Sequence, residues 1–453
     1  MPKYQPYPKY KESEVDMLGH IPTTWNVSQV RFLLMDGAEG IKIGPFGSAL
    51  KLEDMVEDGI RVYGQENVIK KDFSLGKRKI SEDKFSEMQV YQIYPKDLLI
   101  TMMGTSGKCE LVPNDIETGI IDSHLLRVRV NQLLIVPELF RLLIEESHEI
   151  KCQIEISGKG SIMHGLNSSI VKSLKLPLPN IKEQEEILSF LNIETTRIDT
   201  LIQKKTRFIG LLKEKRQALI SHAVTKGLVP KVSLKDSNVD WMGNIPEHWG
   251  IKKIKHLFKI EKRIIGHDQC QVLSITQHGI KVKDITSGEG QLSMDYSKYQ
   301  IVNIGDFAMN HMDLLTGYVD ISQFNGVTSP DYRVFQLIDK SSVDQYYLYL
   351  MQMGYTNKIF FGQGQGVATV GRWRFQTEPF KNFPLPYPPI NEQQEIVVFI
   401  NKQTAKIDGL TQRTQQSIAL LKEHRTALIS AAVTGKIDVR NHAGSTSNNL
   451  EVA

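Results

Sequence analysis

The sequence predicts an α+β fold with pseudo-two-fold symmetry, in which two α/β domains are separated by a pair of long antiparallel coiled-coil helices. Residues 183–227 recur at 392–436 without a gap, and residues 11–34 recur in the same way at 235–258. Between these repeats lie two segments of similar length whose sequences agree poorly. Because there are only two copies, a two-fold pseudo-symmetric molecule is favoured over a solenoid.

The longer repeat predicts two long helices that pack on each other. A seam of mostly apolar residues with some polar positions alternates spacings of three and four, and no proline interrupts either copy, which is the heptad pattern of a coiled coil. About 45 residues at ~1.5 Å each would span roughly 65 Å, unless Thr195 and Thr196 break the first copy. The predicted interface residues are Ile198, Leu201, Phe208, Leu212 and Leu219 in the first helix, and Ile407, Leu410, Leu421 and Leu428 in the second.

Both helices are preceded by a capping signal. Asn180 stands three residues before Glu183, and Asn391 stands three residues before Gln394. This spacing is that of a capping box, in which two side chains satisfy backbone N–H groups at a helix N-terminus. The sequence therefore predicts that each helix begins just after its asparagine.

The chain reads as linker, variable domain and helix, twice. The shorter repeat contains an Ile-Pro-x-x-Trp element, which predicts a proline turn and a buried tryptophan, Trp25 or Trp249, that anchors the next strand. Short β-type runs and Gly-rich turns fill both variable parts. The predicted domains are an N-terminal linker with a first α/β domain at 1–178, a long helix at 179–230, a linker with a second α/β domain at 231–385, a second long helix at 386–440 and a disordered tail at 441–453.

Composition is that of an ordinary globular protein. The chain is 41% hydrophobic and 23% charged, and its net charge of +4 permits nucleic-acid binding without arguing for it. Cys109, Cys152 and Cys270 are isolated, so neither a disulfide framework nor a zinc site is indicated. There is no apolar signal core and no run of 18 apolar residues, so we expect a cytoplasmic protein.

Nucleotide-binding motifs are incomplete. The GTSGK loop at 104–108 has the lysine of a P-loop, but Met102 stands where the first glycine is required. GQGQG at 362–366 is followed by Val367 instead of the last glycine of a dinucleotide fingerprint. The short motif that amino-methyltransferases place around their target base is absent.

Hydrolytic motifs are incomplete as well. Pro330 and Asp331 begin like a PD-(D/E)xK nuclease, but Asp339 and Lys340 are adjacent, so the acidic-x-Lys element is missing. The histidines that could serve a metal site or a triad have no suitable spacing: His124, His164, His278 and His311. The sequence therefore predicts no catalytic residue and no metal site.

The variable parts offer polar loops instead. Glycine amides, lysine and arginine suit phosphate oxygens, whereas arginine, asparagine, glutamine and histidine suit base edges in the major groove. A solvated surface turn is the alternative for any one loop. The candidate DNA-binding residues of the first variable part are Lys42, Gly47, Ser48, Lys51, Gln65, Asn67, Thr105, Ser106, Lys108, Lys159, His164 and Asn167. Those of the second are Lys262, Arg263, His278, Lys281, Lys283, Asn310, His311, Arg372, Arg374 and Gln376.

These segments resemble the specificity subunits of type I restriction-modification systems. The central block from ETTRIDTLIQKKTRFIGLLKEKRQALISHAVTKGL to VDWMGNIPEHWGIKKIKHLF is similar to the central conserved region of that family. VDMLGHIPTTW and LLKEHRTALISAAVTGKIDV are similar to its flanking conserved regions, and GPFGSAL with LPLPNIKEQEEI resembles one class of target recognition domain. The resemblance covers nearly the whole chain.

The resemblance implies a non-catalytic subunit with two target recognition domains, each contacting half of a bipartite site in double-stranded DNA. It also implies that the paired helices dock two modification subunits, which methylate a flipped-out adenine, and that restriction subunits join for ATP-dependent cleavage. S-adenosylmethionine, ATP and Mg²⁺ are then expected in those partners, and no cofactor in this chain.

Other classes of protein stay open. A related fused or type IIB-like restriction-modification enzyme is one alternative. A fused nuclease with a degenerate site would cut DNA alone with Mg²⁺. A coiled-coil scaffold unconcerned with DNA would show no salt-dependent, sequence-selective binding.

Overall fold

The chain forms two compact units. The computed structural model describes residues 4–158, 166–267, 270–284, 293, 295–366 and 373–440. Unit 1 consists of the described residues up to 204 together with those from 417 onward, and unit 2 consists of those between 205 and 416. The predicted tail at 441–453 lies outside the described residues.

Unit 1 is a mixed α/β structure. Its strands are β1 (Tyr10–Glu12), β2 (His20–Pro22), β3 (Asn26–Gln29), β4 (Ile41–Ile43), β5 (Met55–Val56), β6 (Ile60–Tyr63), β7 (Lys79–Ile80), β8 (Leu98–Thr101), β9 (Cys109–Leu111), β10 (Gly119–Ile121), β11 (Leu125–Val128) and β12 (Lys175–Leu178). Its helices are α1 (Gln65–Lys70), α2 (Glu82–Glu87), α3 (Pro137–Glu146), α4 (His148–Gly158), α5 (Ser168–Ser173) and the first part of α6 (Ile181–Lys226). Two four-stranded sheets have the orders β10-β6-β7-β5 and β4-β11-β8-β9, and β1 and β3 pair with β2 and β12.

Unit 2 repeats much of this framework. Its strands are β13 (Leu234–Asp236), β14 (Asn244–Pro246), β15 (Gly250–Lys253), β16 (Phe258–Glu261), β17 (Leu273–Thr276), β18 (Gly279–Val282), β19 (Gln300–Val302), β20 (Phe307–Met309), β21 (Val319–Ile321), β22 (Gly326–Thr328), β23 (Arg333–Leu337) and β24 (Pro384–Tyr387). Its helices are α7 (Ile254–Leu257), α8 (Asp344–Thr356), α9 (Thr377–Asn382) and the first part of α10 (Ile390–Val433). The antiparallel sheet β16-β23-β20-β21 corresponds to β4-β11-β8-β9, and the pairs β13–β14 and β15–β24 correspond to β1–β2 and β3–β12.

Both long repeats form single helices. The first runs through Thr195 without a break, and the Thr195 hydroxyl donates to the Leu191 carbonyl oxygen at 2.7 Å within the helix. Asn180 caps α6 as predicted, since its Oδ1 accepts from the Glu183 N–H at 3.0 Å. The corresponding prediction for Asn391 is wrong: α10 already begins at Ile390, so Asn391 lies inside its first turn.

The two helices pair antiparallel. In unit 1 the Arg425 Nε donates to the Asp199 Oδ1 at 3.0 Å, which joins the end of α10 to the first part of α6. In unit 2 the Arg216 Nε donates to the Asp408 Oδ1 at 3.2 Å, which joins the end of α6 to the first part of α10. The same two repeat positions thus meet reciprocally, as in an isologous contact between symmetric subunits. The predicted antiparallel pairing of the two helices is confirmed.

The residues predicted for the helix-pair interface differ in exposure. Ile198, Ile407, Leu212 and Leu428 are buried, and Leu219 and Leu421 pack against the core of their own unit. A buried position is wrong for Leu201, Phe208 and Leu410, which are 40%, 45% and 41% exposed. The strict heptad count misplaced Leu201, because Ile202 is the residue that packs against the core of unit 1. Ile198 and Leu212 are two heptads apart and both buried, so the period holds and the error lies in the choice between adjacent apolar residues.

A buried tryptophan anchors each linker, as predicted. Trp25 and Trp249 are both 0% exposed. The Trp25 Nε1 donates to a Glu183 carboxylate oxygen at 3.0 Å, and the Trp249 Nε1 donates to Glu392 at 2.9 Å. A tryptophan buries a large apolar ring while its N–H keeps a partner, so the repeated element joins each linker to the start of a long helix.

A buried glutamine joins each α/β domain to its helix. The Gln184 Oε1 accepts from the Val136 N–H at 2.8 Å, and its Nε2 donates to the Pro179 carbonyl oxygen at 2.9 Å. The Gln393 Oε1 accepts from the Val343 N–H at 2.8 Å, and its Nε2 donates to the Pro388 carbonyl oxygen at 2.9 Å. Val136 and Val343 therefore occupy equivalent positions, which aligns the two domains despite their poor sequence agreement.

Candidate nucleic-acid interface

Each unit carries two neighbouring loops at one end of its main antiparallel sheet. The first, named the hairpin loop, joins the third and fourth strands in the order of that sheet. The second, named the turn, lies immediately before the second strand of the sheet. The hairpin loops are 102–108 in unit 1 and 310–318 in unit 2, and the turns are 122–124 and 329–332. In unit 1 the Met102 N–H donates to the His124 carbonyl oxygen at 3.0 Å, so hairpin loop and turn are in direct contact.

The candidate residues of unit 1 are only partly collected there. Thr105, Ser106 and Lys108 lie together in the hairpin loop. The remaining described candidates lie elsewhere: Lys51 is exposed, Lys42 and Gln65 are half-buried, and Gly47 and Ser48 form a 3-10 turn. Lys159 and His164 lie outside the described residues.

In unit 2 a cleft of about 460 Å³ brings some candidates together. Asn310 and Lys283 line it, together with Ser274, Asp313 and Asp331. Among the other described candidates, Arg263 and His311 are half-buried. The rest are exposed, namely Lys262, His278, Lys281, Arg374 and Gln376. Arg372 lies outside the described part of the chain.

Several candidates are occupied within the fold. Asn67 is buried, and its amide donates to the carbonyl oxygens of Asp72 and Leu75 at 3.0 and 2.9 Å, so its assignment as a DNA contact is wrong. Asn67 was predicted to bind DNA because its side chain is polar, but that side chain stabilises a turn of its own domain. Arg263 forms an ion pair with the buried Asp306.

Two further candidates also have structural partners. Asn167 caps α5, since its Oδ1 accepts from the Ile170 N–H at 2.9 Å. The Lys108 Nζ lies 3.6 Å from a carboxylate oxygen of the buried Glu145. An N-cap and a charge that neutralises a buried carboxylate both stabilise the domain itself.

His311 lies in a cationic part of unit 2. Burial, together with the nearby charges of Arg333 and Arg374, lowers the pKa of His311 to about 3. Burial also lowers the pKa of the Arg333 guanidinium to about 10, and that group lies 4.2 Å from the centre of the Phe380 ring. His311 is therefore neutral at physiological pH, so it offers a hydrogen-bonding group and no charge.

Two exposed residues on the turns were missed as candidates. His124 and Asp331 were considered only as possible catalytic groups, because the single sequence did not show that their turns are equivalent. The side chain of His124 is 50% exposed, and Asp331 is also exposed and lines the cleft of unit 2. The signal that could have found them is the position just before the second strand of each main sheet.

The helix pair has exposed leucines at repeated positions. Leu211 and Leu420 occupy the same place in the two copies and are 52% and 65% exposed, and Leu201 corresponds to Leu410. The antiparallel register puts Leu201 and Leu420 on the same stretch of the pair in unit 1, and Leu410 and Leu211 on that of unit 2. We name these two exposed leucines of each unit its leucine patch.

The described residues contain no group of three or more His, Cys, Asp or Glu side chains able to hold a metal ion. None of their helices is both long and apolar enough to cross a membrane.

A framework used twice, carrying different polar loops each time, defines a protein with two recognition modules. The chain matches the family described as "Type I restriction modification DNA specificity domain" over residues 52–207 and 246–419. It therefore belongs to that family. It is a DNA target-recognition subunit of the type I restriction-modification class, in which catalysis resides in other subunits.

Similar proteins agree with this assignment. The type I restriction enzyme MjaVIII specificity subunit of Methanocaldococcus jannaschii is 24% identical over 346 residues, covering 71% of this chain and 75% of that protein. The putative MjaX specificity subunit of the same organism is 22% identical over 454 residues, covering 95% and 97%.

Solved structures share the fold. A chain from a study of complex assembly and conformational transition of the type I R-M system matches with a TM-score of 0.63 at 14% identity, covering 92% of this chain and 99% of that one. The HsdS subunit of Thermoanaerobacter tengcongensis matches with a TM-score of 0.53 at 13% identity, covering 92% and 98%. The predicted fold class is confirmed.

Proposed function

We propose that the α/β domains of the two units are separate target recognition domains, each reading one half of a bipartite DNA site. One observation carries this proposal: equivalent sheets in the two units present hairpin loops and turns of different sequence. A shared framework keeps the geometry of recognition, while different side chains at its loops change the bases that are read. Two recognition domains on one chain then specify a DNA site made of two half-sites.

The loop chemistry fits this role. Thr105 and Ser106 offer hydroxyl and backbone N–H donors on an exposed hairpin loop, which suits phosphate oxygens. Asn310 and Lys283 line the cleft of unit 2, where an amide and an ammonium group can meet base edges. Phosphate contacts position the protein, and base contacts supply the specificity.

We further propose that the helix pair docks two modification subunits, one on each leucine patch. Leucine is kept and exposed at both positions in both copies, although many neighbouring positions of the repeat differ, so each copy offers a similar apolar surface to a partner. Docked subunits would bind S-adenosylmethionine and methylate an adenine flipped out of the duplex, and restriction subunits would add ATP- and Mg²⁺-dependent cleavage.

Exchange of one variable part tests whether each α/β domain reads its own half-site. Replacing residues 36–178 with the matching segment of a relative should change one half of the methylated sequence, as read by methylation-sensitive sequencing of cells that also carry the modification subunit. The half read by unit 2 is the internal control. A change in both halves, or in neither, would refute separate reading.

Charge on a leucine patch tests docking. Leu201→Glu with Leu420→Glu should remove one modification subunit, and Leu410→Glu with Leu211→Glu the other, because a carboxylate would be desolvated in the contact. Leu133→Glu is a matched control, since Leu133 is 83% exposed and lies outside the helices. Native mass spectrometry counts the bound subunits. An unchanged stoichiometry in both double variants would exclude the patches as docking surfaces.

A further inference from the structure

The turns of the two units carry chemically different side chains at one equivalent position. His124 precedes Val136 by the same number of residues as Asp331 precedes Val343, and both valines donate to a buried glutamine of a long helix. The neighbouring strand gives the same alignment. The Met102 carbonyl oxygen accepts from the Leu166 N–H at 2.9 Å, and the equivalent His311 carbonyl oxygen accepts from Phe375 at 2.9 Å.

A buried polar side chain binds the backbone of each turn. In unit 1 the buried Asp122 accepts from the His124 N–H at 3.0 Å and from the Arg78 guanidinium at 2.9 Å. In unit 2 the buried Gln300 donates to the carbonyl oxygens on both sides of Asp331, those of Pro330 at 3.0 Å and Tyr332 at 2.7 Å. Different buried residues thus fix the backbone of the two turns, and the side chains of His124 and Asp331 remain exposed.

We propose that His124 and Asp331 are specificity-determining residues that contact base edges, one in each half of the DNA site. This inference rests on the proposed function of the two units. A phosphate would repel the Asp331 carboxylate, which can only accept hydrogen bonds at neutral pH. A carboxylate on a DNA-facing loop therefore selects a base amino group, foremost the N4 of cytosine.

The environment of Asp331 supports base contact over a structural role. Its backbone N–H donates to the Ser329 hydroxyl at 3.3 Å, while no described residue donates a hydrogen bond to its carboxylate. Asp313 lines the same cleft, but its carboxylate accepts from the backbone N–H groups of Leu315 and Thr316 at 3.0 and 3.1 Å. Asp313 thus shapes the hairpin loop, and Asp331 is available to a ligand.

His124 offers different chemistry at the same place. Its imidazole lies 3.3 Å from the Ser123 hydroxyl at Nδ1, which leaves Nε2 for a base edge. A neutral imidazole can donate or accept through that nitrogen, so it is compatible with a purine N7 or O6. The two halves of the site should therefore differ at the base pairs that these side chains contact.

The test uses the complete complex with its modification subunit. Asp331→Ala should weaken discrimination at one base pair of the half-site read by unit 2 by about 5- to 150-fold, the range of a good side chain–base contact. His124→Ala should relax one base pair of the other half-site. Methylated sequences are mapped in cells, and binding is measured on duplexes that carry each base at the affected position. Asp240→Ala, an exposed aspartate in the linker of unit 2, is the matched control.

The outcomes separate this inference from the proposed function. Loss of preference at one position, with the other half-site kept, supports the inference and shows that the variant is folded. An equal change in affinity for all sequences would reduce Asp331 to a general electrostatic effect and overturn it, as would an unchanged specificity. If the unaltered complex methylates no bipartite sequence, the proposed function itself fails.

Discussion

Replacing the buried glutamine of one unit should loosen that unit selectively. Gln184 is fully buried and holds three backbone groups: the Val136 N–H at 2.8 Å, and the carbonyl oxygens of Leu134 and Pro179 at 3.0 and 2.9 Å. Gln184→Ala leaves these groups without their partner. An unsatisfied buried polar group costs about 1–3 kcal/mol. Because water can enter part of the space left by the side chain, we expect a total loss of about 3–5 kcal/mol.

The equivalent change in unit 2 gives a built-in comparison. Gln393 makes the same contacts to Val343 and Pro388, with a longer hydrogen bond of 3.3 Å to the Ser341 carbonyl oxygen. Gln393→Ala should therefore cost slightly less than Gln184→Ala. Hydrogen exchange read by mass spectrometry reports each unit separately, because local opening exposes the amides of the affected segment. Protection should fall around Val136 in one variant and around Val343 in the other.

Exposed glutamines of the same helices are the controls. Gln203 and Gln412 occupy one repeat position and are both exposed, so their replacement by alanine should change stability by less than about 0.5 kcal/mol. The reasoning is refuted if Gln184→Ala costs no more than Gln203→Ala. It is also refuted if Gln184→Ala leaves exchange near Val136 unchanged.

Three further predictions follow from buried charge and polarity. Burial lowers the pKa of His311 to about 3 in the folded state, so the unfolded chain binds more protons between that value and the ordinary pKa of ~6.5, and the free energy of unfolding falls as the pH falls across this window. At pH 5 this should cost about 2 kcal/mol, and His311→Asn should reduce the difference between urea unfolding at pH 7 and pH 5. Burial acts to raise the pKa of Glu149, but hydrogen bonds from Lys436 and two serines lower it. This carboxylate therefore stabilises unit 1 above the ordinary glutamate pKa, and the stabilisation is lost as the pH falls through the folded value. Lys436→Met should lower the free energy of unfolding by about 1–3 kcal/mol, whereas Lys422→Met, at an exposed helix position, should leave it unchanged. Leu212→Glu should destabilise unit 2 because Leu212 is 6% exposed, whereas Leu211→Glu should leave the melting temperature nearly unchanged; equal melting of the two variants would contradict the assigned seam.

The helices could be predicted because their signals are local and duplicated. A seam repeated without a gap predicts two similar helices, and the absence of proline predicts that they are continuous. The sequence could not show which leucines face the core, because two adjacent apolar residues such as Leu201 and Ile202 both fit a heptad. That choice is made by the residues that each unit packs against the helix.

The candidate interface was harder to predict because loops are polar for several reasons. Asn67 and Thr105 both lie in polar segments, but only Thr105 remains exposed, since the Asn67 amide satisfies carbonyl groups of its own turn. His124 and Asp331 could not be paired from sequence, because no residue of their turns is repeated. The equivalence becomes visible in the structure, where the buried glutamines bind Val136 and Val343 in the same way and the neighbouring strands give the same alignment.

The two linkers are joined to the ends of their helices in different ways. In unit 2 the end of α6 continues along the chain into the linker of Trp249, and Gly227 in a left-handed conformation makes the connection. In unit 1 the end of α10 meets the linker of Trp25 without a covalent bond. There Arg440 lies over the Tyr7 ring at 4.8 Å, and Lys436 pairs with the buried Glu149. These contacts hold together two distant parts of the chain, whereas in unit 2 the backbone connects the same parts and the Lys226 ammonium group also donates to the carbonyl oxygens of Met242 and Asn244. Acid should therefore loosen this junction of unit 1, because the pKa of Glu149 is lowered in the folded state and its protonation removes the ion pair with Lys436.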